Sequence, residues 1–157
     1  MCLICDRIAL IRRGENPYFV RETETGYVVI GDYQHFPGYA LFLCKRHETE
    51  LFHLDKAFAR AFMEEMITVA GAVKEAAGAE KMNYECLGQG DAHLHWHLFP
   101  RRAGDIGAYG NKGVGPVWWY PMEKMYCEEA RPTPEALEAM KRRLGEALDR
   151  ALATGKE

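Results

Sequence analysis

Three histidines stand two residues apart in Asp91-Ala-His93-Leu-His95-Trp-His97-Leu-Phe-Pro100, and the residues between them are apolar. In an extended strand, side chains alternate between two faces. His93, His95 and His97 would then project together while Leu94, Trp96 and Leu98 enter a core. On a helix, two residues turn the chain by about 200°, which would scatter the rings. An imidazole with an ordinary pKa near ~6.5 can be a nucleophile, a proton donor or a metal ligand. Same-face neighbours on a strand lie roughly 6.6 Å apart along the chain, so adjacent pairs can meet at one small group. Such a face suits attack of a ring nitrogen on phosphorus, with a second ring beside the leaving group. The residues alone also allow three solvent-facing polar side chains, or a His-x-His metal chelate.

A second group is Cys2-x-x-Cys5, which by itself supplies half of a metal site. The remaining cysteines, at 44, 86 and 127, make the count odd, which argues against a disulfide framework. Cys44 and Cys86 fall in strand-like runs and read as small buried apolar residues.

The elements that must position these groups follow from the pattern around them. Tyr18 to Thr23 and Tyr27 to Gly31 are rich in aromatic and β-branched residues and flank Glu24-Thr-Gly26, as a hairpin would. Pro37-Gly38 closes a loop before a third apolar run, Tyr39 to Cys44. Phe58, Phe62, Met66, Val69 and Val73 recur at helical spacing, so one amphipathic helix is expected from Asp55 to about Ala79, capped by Asp55 and stopped near Gly78. Lys81 to Leu87 reads as a fourth strand, Gly88-Gln-Gly90 as a turn, and the histidine run as a fifth strand ended by Pro100. Residues 103–132 hold Trp118, Trp119 and many Gly and Pro without a clean period, and read as an ordered irregular extension whose two tryptophans pack against the sheet or stack on a base, across a dimer interface for example. Thr133-Pro134-Glu135 opens a final helix over about 133–152. His35 and His53 read as loop residues, and Arg101 and Arg102 as a solvated pair or a phosphate clamp.

With 157 residues, 48% hydrophobic and 27% charged, the chain is expected to form one domain, 1–157, with its core in 1–102. A net charge of -3 offers no global attraction for nucleic acid or an acidic membrane. No apolar run is long enough to span a bilayer and no leader pattern is visible, so the expected location is cytoplasmic.

The sequence resembles the histidine triad (HIT) family, whose motif is His-φ-His-φ-His-φ-φ with φ apolar. His93-Leu-His95-Trp-His97-Leu-Phe99 fits every position. Leu87-Gly88-Gln89 before the triad, Pro100-Arg101 after it, and Pro37-Gly38-Tyr-Ala-Leu-Phe-Leu-Cys-Lys-Arg-His47 extend the likeness from Cys2 to about Arg102. The resemblance implies an α+β fold: a five-stranded antiparallel sheet with one long helix packed on it and a C-terminal helix, usually paired as a homodimer. It implies a nucleotide hydrolase or transferase acting on phosphoanhydrides or phosphoramidates, dinucleoside polyphosphates or adenylated compounds among them. His95 would be the nucleophile that carries a covalent nucleotidyl group, and His97 would assist the leaving group. Asp32 would bind ribose hydroxyls, with Asn83 and Gln89 near the phosphates of a purine nucleotide. In the zinc-containing bacterial-type branch, Cys2, Cys5, His47 and His93 would hold a structural Zn2+. Two positions depart from the family pattern: Gly90 followed by Asp91 replaces a phosphate-binding hydroxyl, and Tyr39 replaces a histidine. These departures keep a nucleotide sensor and a zinc-stabilised interaction domain open as alternatives.

Overall fold

The computed structural model describes residues 1–107, 109 and 113–154, so positions 108 and 110–112 of the expected extension lie outside the described residues. Five antiparallel strands form one sheet in the order β1-β2-β3-β5-β4. They are β1 (Phe19–Glu22), β2 (Gly26–Ile30), β3 (Ala40–Cys44), β4 (Lys81–Glu85) and β5 (His95–Arg101). The helices are α1 (Leu3–Arg12), α2 (Lys56–Ala77), the short α3 (Met122–Met125) and α4 (Pro134–Thr154). The α+β arrangement expected from sequence is therefore present, with α2 and α4 on one face of the sheet.

Alternation along the strands explains the layers. Val28 and Ile30 of β2, Ala40 and Phe42 of β3, and Leu94, Trp96 and Leu98 join one apolar cluster with α2 and α4. Tyr27, Val29 and Leu43 face the other way and meet Ile4, Ile8 and Ile11 of α1. Beyond them Tyr39 and Phe99 pack against Phe36, Ile106, Val117 and Met125, which come from the β2–β3 loop and the segment after β5. His95 and His97 lie on this second face, between α1 and the aromatic segment.

Local chemistry sets the boundaries. Asp55 accepts the Phe58 amide at 2.9 Å and caps α2, and Gly78 ends that helix at φ 62. Thr133 caps α4 through the Ala136 amide. α1 is an element the sequence reading did not contain, although Ile4, Ile8 and Ile11 repeat at i, i+4 and i+7. Its cap is Cys2, whose sulfur accepts the Cys5 amide. The expected end of β5 at Pro100 is corrected: the strand runs on to Arg101. The ladder to β3 stops at Leu98, so on that side no partner strand calls for the N–H that proline lacks.

Candidate active site and metal centre

β5 delivers the two downstream histidines. His95 lies opposite Leu43 and His97 opposite Leu41 on β3, so the rings rise from an apolar floor. His95 Nδ1 is 2.6 Å from the His93 carbonyl oxygen. A carbonyl only accepts, so Nδ1 carries the proton and Nε2 of the neutral ring keeps a lone pair. That nitrogen lies 3.0 Å from His97 Nε2, and His97 Nδ1 lies 2.6 Å from the Tyr39 hydroxyl. Burial, with a smaller contribution from His95, pulls the pKa of His97 down to about 4, so its ring is neutral near pH 7.

A cavity of about 210 Å³ opens over these rings. Leu3, Ile4 and Arg7 of α1 form one wall, and Tyr33, Tyr39 and Tyr126 line it as well. Asp32, just past β2, reaches the cavity and accepts two hydrogen bonds from Arg7, at 2.7 and 2.5 Å. Asp91 also lines it.

The other expected site residues are placed differently. Asn83 on β4 shares the triad face but lies opposite Phe99, and its side-chain oxygen accepts from Arg101 at 2.6 Å. It lines a separate cavity with Lys81, Arg101 and Arg102. Gln89 is exposed in the turn before the triad and lines neither of these two cavities. Arg101 corrects the expectation of a solvated pair. It is buried, and its guanidinium donates to both oxygens of Asp105, to Asn83 and to the Gly115 carbonyl. Arg102 donates to the carbonyls of Pro37 and Ala77. Trp118 and Trp119 are partly exposed and join none of the three apolar clusters; Trp118 Nε1 donates to Glu85 on β4, the cross-strand neighbour of His97. Arg7, Tyr39 and Tyr126 are cavity residues to which the sequence reading assigned no role. The departure of Tyr39 from the family pattern was the available signal for that position.

His93 precedes β5 and turns away from this cavity. Cys2, Cys5, His47 and His93 bring one ligand atom each within 4.8 Å of one another. Cys5 Sγ lies 3.1 Å from His47 Nδ1 and 3.4 Å from His93 Nδ1, and Cys2 Sγ lies 3.6 Å from His93 Nδ1. Tetrahedral bonds of ~2.3 Å to sulfur and ~2.1 Å to nitrogen require sulfur–nitrogen edges of about 3.6 Å. The cluster fits a four-coordinate ion with little adjustment. His93 Nε2 lies 2.8 Å from the Cys44 carbonyl, so it carries the proton and leaves Nδ1 free to ligate. Burial and the neighbouring Cys2 push the Cys5 thiol up, which opposes ligation in the empty cluster; a bound cation would reverse that.

A sheet that carries histidines on its last paired central strand, above a cavity fed by a helix and the β2–β3 loop, defines a histidine-triad type of site. The chain belongs to the HIT family: the HIT domain profile matches residues 14–104. Among solved structures, it is similar to a histidine triad protein from Sinorhizobium meliloti 1021, with 25% identity, 89% of this chain and 93% of that one covered, and a TM-score of 0.67. A Zn-bound histidine triad family protein from Mycobacterium smegmatis shares 21% identity over 98% and 96% of the two chains, with a TM-score of 0.64. A hypothetical histidine triad nucleotide-binding protein from Sulfolobus tokodaii strain 7 shares 19% identity over 93% of each, with a TM-score of 0.67. Comparison with curated protein sequences finds no match. No helix of the described residues is long and apolar enough to cross a membrane.

Proposed function

We propose that the chain is a nucleotide hydrolase or transferase that passes a nucleotidyl group through a covalent intermediate on His95. HIT family membership supports nucleotide chemistry in general. The single observation that carries the finer reading is the bond from His95 Nδ1 to the His93 carbonyl, which leaves the Nε2 lone pair on the cavity side. In the first step the His97 Nε2–H turns from this lone pair to the leaving group, and the freed lone pair attacks phosphorus. A P–N bond forms and the bond to the leaving atom breaks; an oxygen leaving group departs as a phosphate anion hydrogen-bonded by His97 Nε2–H, and a nitrogen leaving group departs as an amine that has taken a proton from solvent. Water then attacks the same phosphorus, the P–N bond breaks, His95 recovers its lone pair, and the proton lost by the water passes to solvent.

In this reading Asp32 accepts from ribose hydroxyls while Arg7 holds its carboxylate, and the apolar wall from α1 receives the purine. Asn83 and Gln89 lie outside this cavity, so contact with more distant phosphates is assigned to them on the family resemblance alone. Zinc is the ion we assign to Cys2, Cys5, His47 and His93; it would be structural, because four protein ligands leave no open position. We also read the single domain as cytoplasmic and homodimeric, with the exposed Tyr84 on edge strand β4 as the pairing side; solution mass tests the dimer.

The test is incubation with diadenosine triphosphate and with adenosine 5′-phosphoramidate, followed by mass analysis without acid. An adenylyl adduct on His95, and loss of turnover in His95→Ala, are the expected results. Turnover unaffected by His95→Ala would sink the proposal. Asp91 in the cavity and the missing hydroxyl at Gly90 favour the second reading, a nucleotide sensor. Adenylate binding with no turnover across both substrates would select it.

A further inference from the structure

We propose that Tyr39 is a positioning residue that locks the tautomer of His97, so that its Nε2–H faces the reacting nitrogen of His95. The argument follows the protons outward from the backbone. The His93 carbonyl fixes the proton of His95 on Nδ1. His95 Nε2 then only accepts, so the 3.0 Å contact with His97 requires the proton to sit on His97 Nε2. A neutral His97 consequently has a bare Nδ1, and the group 2.6 Å from it is the Tyr39 hydroxyl, which donates. Three donors thus point the same way, from Tyr39 to His97, from His97 to His95, and from His95 to the main chain.

Tyr39 is built to stay in this role. It is buried, and burial holds its hydroxyl well above the ordinary tyrosine value, so it remains a donor. Its ring stacks on Phe99 with centroids 4.2 Å apart and 2° between planes. Gly31 makes the space: a Cβ built there would fall inside the Tyr39 ring. Gly31 also donates its amide to the Tyr39 carbonyl at 2.9 Å, which ties the two positions together. Without the hydroxyl, the partly buried His97 Nδ1 loses its donor. The ring is then free to carry its proton on Nδ1, which would leave two bare Nε2 atoms facing each other across the 3.0 Å contact and deprive the leaving group of its donor.

Nitrogen-15 NMR of the histidine rings in the full chain tests this without any substrate. The wild type should show His97 as the Nε2–H tautomer with a hydrogen-bonded Nδ1. Tyr39→Phe keeps the stacked ring and should give a mixture of tautomers. Gly31→Ala should give the same loss by displacing the ring, while 3-fluorotyrosine at position 39, which keeps a donor, should preserve the wild-type pattern. An unchanged His97 tautomer in Tyr39→Phe overturns the proposal. The role also rests on the proposed reaction for its kinetic consequence: with diadenosine triphosphate, kcat should fall about tenfold and KM should hold within about twofold. Absence of turnover in the wild type would count against that reaction, whereas the tautomer readout decides Tyr39 by itself.

Discussion

Arg7 on α1 grips the carboxylate of Asp32, 25 residues away, through two guanidinium nitrogens, and the pair forms part of the cavity wall beside His95. A carboxylate has about four lone-pair sites, so one on each oxygen stays open for a ribose diol. The two side chains are 24% and 19% exposed, between the surface and fully buried cases. Arg7→Ala should therefore cost about 1–2 kcal/mol in urea unfolding, and it should weaken AMP binding in calorimetry. Asp32→Asn should narrow the preference for AMP over its 2′,3′-dideoxy form. An Arg7→Ala protein with wild-type stability and AMP affinity would remove Arg7 from the site.

Metal removal should act on the whole fold. The four ligand atoms come from α1, from the loop after β3 and from the approach to β5, so one ion would tie three distant parts of the sequence. Treatment with a strong chelator should lower the midpoint of thermal unfolding, and Cys5→Ser should abolish stoichiometric zinc after any affinity tag is removed. Because the thiols must lose protons to ligate, zinc affinity should fall as pH falls. A chelator-treated protein with an unchanged midpoint would argue against a structural ion.

Much of this arrangement was readable beforehand, for a reason visible in β5. The alternation of His95 and His97 with Trp96 and Leu98 carries face information in a period of two, and the spacing of Phe58, Phe62 and Met66 carries it in a period of 3.6. Cys2, Cys5, His47 and His93 were joined only through the family resemblance, since nothing in their spacing predicts that 91 residues of chain return to one point. The readings that failed depend on partners remote in sequence. Arg101 looks like a solvated end residue until Asp105, Asn83 and the Gly115 carbonyl close around it. Pro100 looks like a terminator until the ladder to β3 is known to have ended already.

The β1–β2 turn offers a stability test away from the chemistry. Glu65 on α2 accepts from the amides of Glu24 and Thr25 at 2.9 Å each, and from the hydroxyls of Thr23 and Thr25. Thr25 is buried, so removing the carboxylate would leave its groups without partners. Glu65→Ala should cost about 2–3 kcal/mol in urea unfolding, with AMP binding retained. A loss below about 0.5 kcal/mol would mean that water replaces the carboxylate freely.

The depressed pKa of His97 makes a signed prediction for stability against pH. In the unfolded chain the ring takes a proton near its ordinary value of 6.5, whereas in the folded chain it resists until about 4. Between these values the unfolded state binds more protons, so acid favours unfolding. The contribution is intact above pH ~6.5, declines as pH falls, and levels off below about 4. At pH ~4.5 it should amount to about 2–3 kcal/mol relative to pH ~7. Carboxylates share the general slope, so the informative measurement is the difference between wild type and His97→Asn. Urea unfolding of the variant should lose less stability over that interval than the wild type does. Parallel pH profiles for the two proteins would mean that the ring gains its proton equally well in the folded and unfolded states.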